Sequence, residues 1–212
     1  VYSRDVMVEV VGIAEEFDLF IVCDEIYLEI TYNGKISTPL SDVINGVCGI
    51  SMRGISKELP WPGARCGWIE VYNRGNDPVF STYIETILNA KMLEVCSTTL
   101  PQTVIPSLLS DPRYREYHSE RNKQYEAKSK FAYDVLFGID GIIVNRADGA
   151  FYMTVAFEEG VLNDKQLLQI DNDKVRAYIE DSVCNVALDK RFVYYLLGAT
   201  GICVVPLTGF SC

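Results

Sequence analysis

The chain has 212 residues, 49% of them hydrophobic and 11% aromatic, with a formal net charge of −10 and a pI near 4.6. This length and apolar content support a packed core and exclude a disordered segment. The acidic balance excludes a general binder of nucleic acid or anionic membrane, because no basic surplus exists to displace phosphate counterions.

Residues 5–17 carry apolar side chains at helical spacing, with Ser3 or Asp5 as caps. Leu19-Phe20-Ile21-Val22-Cys23 then reads as a buried strand, and an uninterrupted apolar strand after a helix marks a parallel sheet covered on both faces. Val47–Ser51 and Cys66–Val71 are further strands, and Asp77–Cys96 and Gln102–Leu109 are helices, the second despite Pro106. From Pro112 a polar helix runs to about Phe137, its charges (Arg115, Glu116, Glu120, Arg121, Lys123, Glu126, Lys130) forming a solvated face and its tyrosines 114, 117, 125 and 133 packing. Beyond Gly138-Ile139-Asp140-Gly141 the pattern predicts strands at Ile142–Val144 and Phe151–Val155 around an Asp148-Gly149 turn. A loop-rich, partly helical stretch at Asp164–Asn185 follows, then a helix at Asp189–Ala199 and a strand at Ile202–Val205. The expected division is a large domain over 1–115, a bridging helix over 116–136 and a small α+β domain over 137–212.

Seven cysteines, at 23, 48, 66, 96, 184, 203 and 212, show no C-x-x-C pair and mostly lie in apolar runs, which predicts reduced packing residues in a cytoplasmic protein. No apolar run reaches membrane-spanning length, and no signal peptide opens the chain. Its first residue, Val1, is not a methionine, so further sequence upstream is expected.

Candidate chemistry centres on Lys57, set in the Gly54-Ile55-Ser56-Lys57 loop, with Arg65 eight residues on inside Pro62-Gly63-Ala64-Arg65-Cys66-Gly67-Trp68. Glycines beside an arginine let a ligand approach the backbone, and a guanidinium fork matches phosphate oxygens. Asp24 ends an apolar strand, the edge of an open α/β sheet where ligands bind, and Tyr27 follows three residues later. An amine, a guanidinium, a strand-end carboxylate and a phenol suit one kind of cofactor. The single histidine, His118, reads as an exposed residue of the polar helix, and neither a Gly-rich nucleotide fingerprint nor clustered metal ligands are present.

Asp24-Glu25-Ile26-Tyr27, then Ser56-Lys57, then Pro62-Gly63-Ala64-Arg65-Cys66-Gly67-Trp68 resemble the class I/II aminotransferases of the aspartate aminotransferase fold, with the alanine type closest. Leu100-Pro101-Gln102, Asp148-Gly149-Ala150-Phe151-Tyr152-Met153 and Val204-Val205-Pro206-Leu207-Thr208-Gly209-Phe210 are similar to later segments of that family, so the likeness covers essentially the whole chain in order. It implies an α/β fold of type I: part of a large, mostly parallel mixed-sheet domain followed by a smaller α+β domain.

The resemblance also implies pyridoxal 5'-phosphate as cofactor. Lys57 would form the Schiff base with it and shuttle a proton, Asp24 would pair with the pyridinium nitrogen, Tyr27 would bond the ring 3-oxygen and Arg65 would hold the phosphate. Ser56 is a turn residue. Two positions depart from the pattern: Gly54 stands where many relatives have a phosphate-binding serine, and Pro206-Leu207 where they have Pro-Gly. Relatives are roughly twice as long, so a carboxyl-side fragment, inactive alone, is expected. Its parent would be a homodimer acting by a ping-pong route on an L-amino acid and a 2-oxo acid, with no nucleic-acid or membrane partner and no metal. Exposed apolar surface from a lost interface is a further expectation. A carbon–sulfur lyase and a non-catalytic, effector-binding aminotransferase-like domain of a regulator are the alternatives.

Overall fold

A computed structural model describes residues 1–210. Cys212, counted above among the packing cysteines, lies outside the described residues. The chain divides into two units, one made of Val1–Tyr133 with Arg146–Met153, the other of Asp134–Asn145 with the residues from Thr154 on.

The first unit opens with α1 (Arg4–Glu16), whose cap is Ser3, its hydroxyl accepting from the Val6 N–H at 3.4 Å. Met7, Val11 and Ala14 repeat at helical spacing and pack against Leu40, Val43, Ile44 and Val47. Burial of each of the larger aliphatic side chains contributes about 1.5–3 kcal/mol before chain entropy is counted. A second apolar stripe on α1 (Val6, Val10, Ile13), continued by its C-cap Phe17, is exposed.

Three strands follow: β1 (Ile21–Asp24), β2 (Gly49–Gly54) and β3 (Gly67–Tyr72). β1 and β2 are parallel, with Asp24 opposite Met52; β2 and β3 are antiparallel, with Gly54 opposite Gly67. The sheet is therefore mixed. Helix α2 (Pro78–Lys91) starts at an Asp77 cap with Pro78 in its first turn, and its Phe80 and Ile84 pack on Cys48 and Ile50. Helix α3 (Thr99–Ser110) and all but the last turn of α4 (Tyr114–Leu136) complete the helical part of this unit's sequence.

The second unit contains the antiparallel pair β4 (Ile142–Val144) and β5 (Val155–Phe157), then α5 (Asp173–Ser182) and α6 (Leu188–Thr200). Its core gathers Ile170, Ile179, Val183 and Tyr195. None of the helices among the described residues is long and apolar enough to cross a membrane.

Several expectations are corrected. The helix predicted to Cys96 stops at Lys91, because Met92, Leu93 and Val95 are more than four-fifths exposed and have no core to pack on. Phe151–Tyr152 is not strand: Ala150 takes a left-handed backbone, and Gly149 forms a single antiparallel bridge with Thr31 instead of turning a hairpin. Ile202–Val205 is irregular, since among the described residues no strand lies beside it to pair with. β1 is covered on one face only within this chain, Val22 being about half exposed. Of the described cysteines, Cys48 alone is buried and Cys23 and Cys66 are half-buried; Cys96, Cys184 and Cys203 are exposed, so packing does not account for them.

Candidate functional site

β1 and β2 end side by side, so the loops that leave them, 25–30 and 55–66, share one edge of the sheet. Edges at the carboxyl ends of parallel strands are where open α/β sheets bind ligands. Asp24 is exposed there, and its Oδ1 accepts the Ile26 N–H at 3.1 Å, which starts the turn that carries Tyr27. Buried Glu25 fastens that turn, its Oε1 accepting the Leu40 N–H at 2.6 Å.

Tyr27 and Tyr152 share a hydroxyl–hydroxyl hydrogen bond of 2.7 Å, and the Tyr27 ring meets the Phe151 and Tyr152 rings edge-on. The Lys57 Nζ lies 5.6 Å from the Phe151 ring centroid and 6.0 Å from that of Tyr27, within cation–π reach of both. Burial, then the bond to Tyr152, then the charge of Asp24 push the Tyr27 phenol far above its ordinary value. It stays protonated across the neutral range and available as a donor. A cavity of about 200 Å³ touches Asp24, Tyr27 and Ala150.

Arg65 has a left-handed backbone (φ 49°, ψ 46°), a conformation set where the Pro62–Ala64 turn ends. Its guanidinium is exposed and donates to the Pro62 carbonyl at 2.9 Å, leaving most of its five N–H donors for an anion. No hydrogen bond or ion pair joins Arg65 to Lys57, Asp24 or Tyr27 among the described residues. Lys57 is thus brought within cation–π reach of Tyr27, Asp24 lines the cavity beside Tyr27, and Arg65 stands apart. Gly54 has no room for a side chain: a Cβ there would meet the Cys66 carbonyl at 3.0 Å, Ile26 Cδ1 at 3.1 Å and Gly67 Cα at 3.2 Å. A serine would crowd this junction.

The donor set suits a phosphorylated aldehyde such as pyridoxal phosphate, with a half-buried amine for the aldehyde, a phenol and a carboxylate for the ring polar atoms, and a free guanidinium for the phosphate.

Sequence reasoning missed the groups behind the lysine. His118 is buried at 5% exposure rather than exposed, and Arg121 is buried at 8% rather than part of a solvated face. The Arg121 Nη2 donates to His118 Nδ1 at 2.7 Å, while its Nη1 donates to the Glu58 carbonyl. An arginine can only donate, so Nδ1 accepts and His118 carries its proton on Nε2. Burial and the Arg121 charge lower the His118 pKa to about 4. Phe151 and Tyr152, expected as strand residues of a family-like segment, form the aromatic wall. Of the four α4 tyrosines expected to pack, Tyr114 and Tyr117 both meet His118 edge-on and Tyr125 meets Phe151, though Tyr117 keeps an exposed face. The three-residue spacing of His118 and Arg121 on one helix face was the available signal.

A family model described as aminotransferase class I and II matches residues 1–212. An uncharacterized aminotransferase of Methanocaldococcus jannaschii is 53% identical over 210 residues, covering 99% of this chain and 49% of that protein. A tyrosine aminotransferase of Dictyostelium discoideum is 28% identical, covering 100% and 46%. Among solved structures, an alanine aminotransferase from Pyrococcus furiosus superposes with a TM-score of 0.72 at 25% identity, over 93% of this chain and 43% of that one. The chain spans about half the length of the curated relatives it matches.

Proposed function

The chain belongs to the class I and II aminotransferase family and carries the mixed α/β, fold type I architecture of its structural neighbours; on that premise we propose that its protein moves an amino group between an L-amino acid and a 2-oxo acid in ping-pong order, using pyridoxal 5'-phosphate. The observation that carries this reading is the Lys57 amine resting over the Tyr27 and Phe151 rings at the carboxyl edge of parallel strands.

In this reading Lys57 Nζ holds the cofactor and moves a proton to and from the substrate α-carbon. Asp24 pairs with the ring nitrogen and Tyr27 donates to the ring 3-oxygen, its high pKa keeping that proton in place. Arg65 grips the phosphate through the donors that Pro62 does not use. When bound, the cofactor supplies an electron-withdrawing ring that makes the α-proton labile. The Phe151 ring lies against the amine on one side. The intact protein is taken to be a cytoplasmic homodimer, and the 212-residue chain, half the span of its relatives, to be inactive alone.

The test is a single half-reaction on the full-length protein loaded with pyridoxal phosphate. Mixed with an amino acid and no acceptor, it should release one 2-oxo acid per site and no ammonia, and Lys57→Ala should release none. Ammonia with pyruvate would replace this reading with a carbon–sulfur lyase. No release with any amino acid would refute catalysis.

A further inference from the structure

Lys57 has no hydrogen bond or ion pair of its own among the described residues; only ring faces meet its amine. Its position must therefore come from its neighbours in the chain. On one side Ile55 is buried at 1% exposure and its N–H donates to the Cys66 carbonyl at 3.3 Å. On the other side is Glu58, a carboxylate buried at 4% exposure, for which the proposed chemistry has no use.

Glu58 is held from three directions. Its Oε1 accepts the Glu29 N–H, in the loop after β1, at 3.0 Å. Its Oε2 lies 3.7 Å from Arg53 Nη2 on β2, and the same guanidinium nitrogen lies 3.9 Å from Glu29 Oε1. From α4, Arg121 donates to the Glu58 carbonyl and to the Glu29 carbonyl, and Asn122 Nδ2 donates to that Glu29 carbonyl at 2.8 Å. Tyr114 faces the same cluster, its phenol pushed to about 12 by burial and then by the charges of Glu58 and Glu29. Burying an acid here is costly unless these partners are met, so the loop has one favourable seating.

Resting on the assignment of Lys57 above, we propose that Glu58 is the positioning residue for Lys57. Its carboxylate ties the carboxyl side of the lysine loop to the Glu29 amide after β1 and to Arg53 on β2, while Arg121 of α4 holds the Glu58 backbone carbonyl, and so the amine is kept over Tyr27 and Phe151. Glu58 does not touch the reacting atoms.

The experiment is pyridoxal-phosphate uptake by the full-length protein, borohydride reduction and peptide mass mapping, with circular dichroism confirming the fold of each variant. In the unsubstituted protein the label should be confined to Lys57. Glu58→Ala should cut the label at Lys57 by about tenfold, the scale set by losing a buried hydrogen bond to a charged group, while other lysines are unaffected. Glu58→Gln keeps an acceptor for the Glu29 amide and should restore most of the label, a rescue that general destabilisation would not produce. Full labelling in a folded Glu58→Ala protein, or no rescue by glutamine, would overturn the proposal. If the alanine variant does not fold, Glu58→Asp decides: a shorter reach should lower Lys57 labelling several-fold, and unchanged labelling overturns the idea. Absence of label at Lys57 in the unsubstituted protein would sink the cofactor assignment and this inference with it.

Discussion

Glu58→Gln and His118→Gln should tilt the pH dependence of stability in opposite directions. Burial first, then partial relief by the Glu29 amide and Arg53, raises Glu58 from 4.5 to about 7. A carboxyl raised on folding favours the folded state when protonated, so its contribution is complete below pH 4.5 and is lost as pH rises through about 7. His118 falls from 6.5 to about 4 through burial and the neighbouring Arg121. It favours the folded state when neutral, so its contribution is complete above pH 6.5 and is lost as pH falls through about 4. Either displacement corresponds to at most about 3 kcal/mol.

Between pH 4.5 and 6.5 the folded chain carries a proton on Glu58 and none on His118, while the unfolded chain does the reverse. The bound-proton counts match, so the pair contributes almost no slope in that window. With Glu58→Gln the histidine acts alone, and stability should fall by about 3 kcal/mol, relative to the unsubstituted protein, as pH is lowered from 6.5 to 4. With His118→Gln the carboxyl acts alone, and stability should rise by about the same amount from pH 7 to 4.5. Urea unfolding at half-unit pH steps, followed by tryptophan fluorescence, measures this, and subtracting the unsubstituted profile removes every other group. Parallel profiles in all three proteins, or slopes of the same sign in both variants, would refute the reasoning.

Gly54→Ser should lower stability by about 1–3 kcal/mol through overpacking against the Cys66 carbonyl and Gly67, read as a drop in unfolding temperature. An unchanged temperature would mean that the end of the β2–β3 pair yields easily. Tyr27→Phe removes the hydroxyl pair with Tyr152 but keeps the ring, and should cost about 1 kcal/mol of stability and weaken pyridoxal-phosphate binding in a titration. Equal affinity would remove the phenol from the site. Arg65→Gly should raise the unfolding temperature of the cofactor-free protein by relieving a left-handed backbone worth about 1 kcal/mol, while cofactor affinity falls. A lower temperature in that variant would show that the arginine side chain itself stabilises the turn.

Sequence patterns revealed the elements whose periodicity survives packing. Met7, Val11 and Ala14 announce α1, and the Asp77-Pro78 pair announces α2, because caps and apolar stripes act locally. Asp24, Tyr27 and Lys57 were legible as candidates through their place at strand ends and loops, and through family resemblance. What stayed hidden depends on contacts distant in sequence. The shared helix face of His118 and Arg121 is local, but nothing local says that it turns inward and sets Arg121 on Glu58 and Glu29, some 60 to 90 residues earlier. Nor does local β-propensity reveal that Phe151 and Tyr152 leave the strand pattern to reach Tyr27. Tertiary partners overrode propensity in both cases.

Backbone strain falls in the same place. Asp18, Asn33, Asn45 and Asn73 have positive φ, as short polar side chains tolerate. Arg65 and Ala150 have it too, and neither has such a side chain to ease the cost of about 1–2 kcal/mol. Arg65 is the candidate phosphate ligand, and Ala150 precedes Phe151, whose ring meets the Lys57 amine. Ala150 is held in this conformation by its N–H, which donates to the Ile30 carbonyl at 2.8 Å, and by the bridge of its neighbour Gly149 to Thr31. The buried carboxyl of Glu58 lies in the same 55–66 segment as Lys57 and Arg65, and the buried imidazole of His118 is linked to that segment through Arg121. A lysine that merely decorated a surface would need none of them. Their convergence is what a site demands when several side chains must meet one ligand and the fold's easiest backbone would not bring them there.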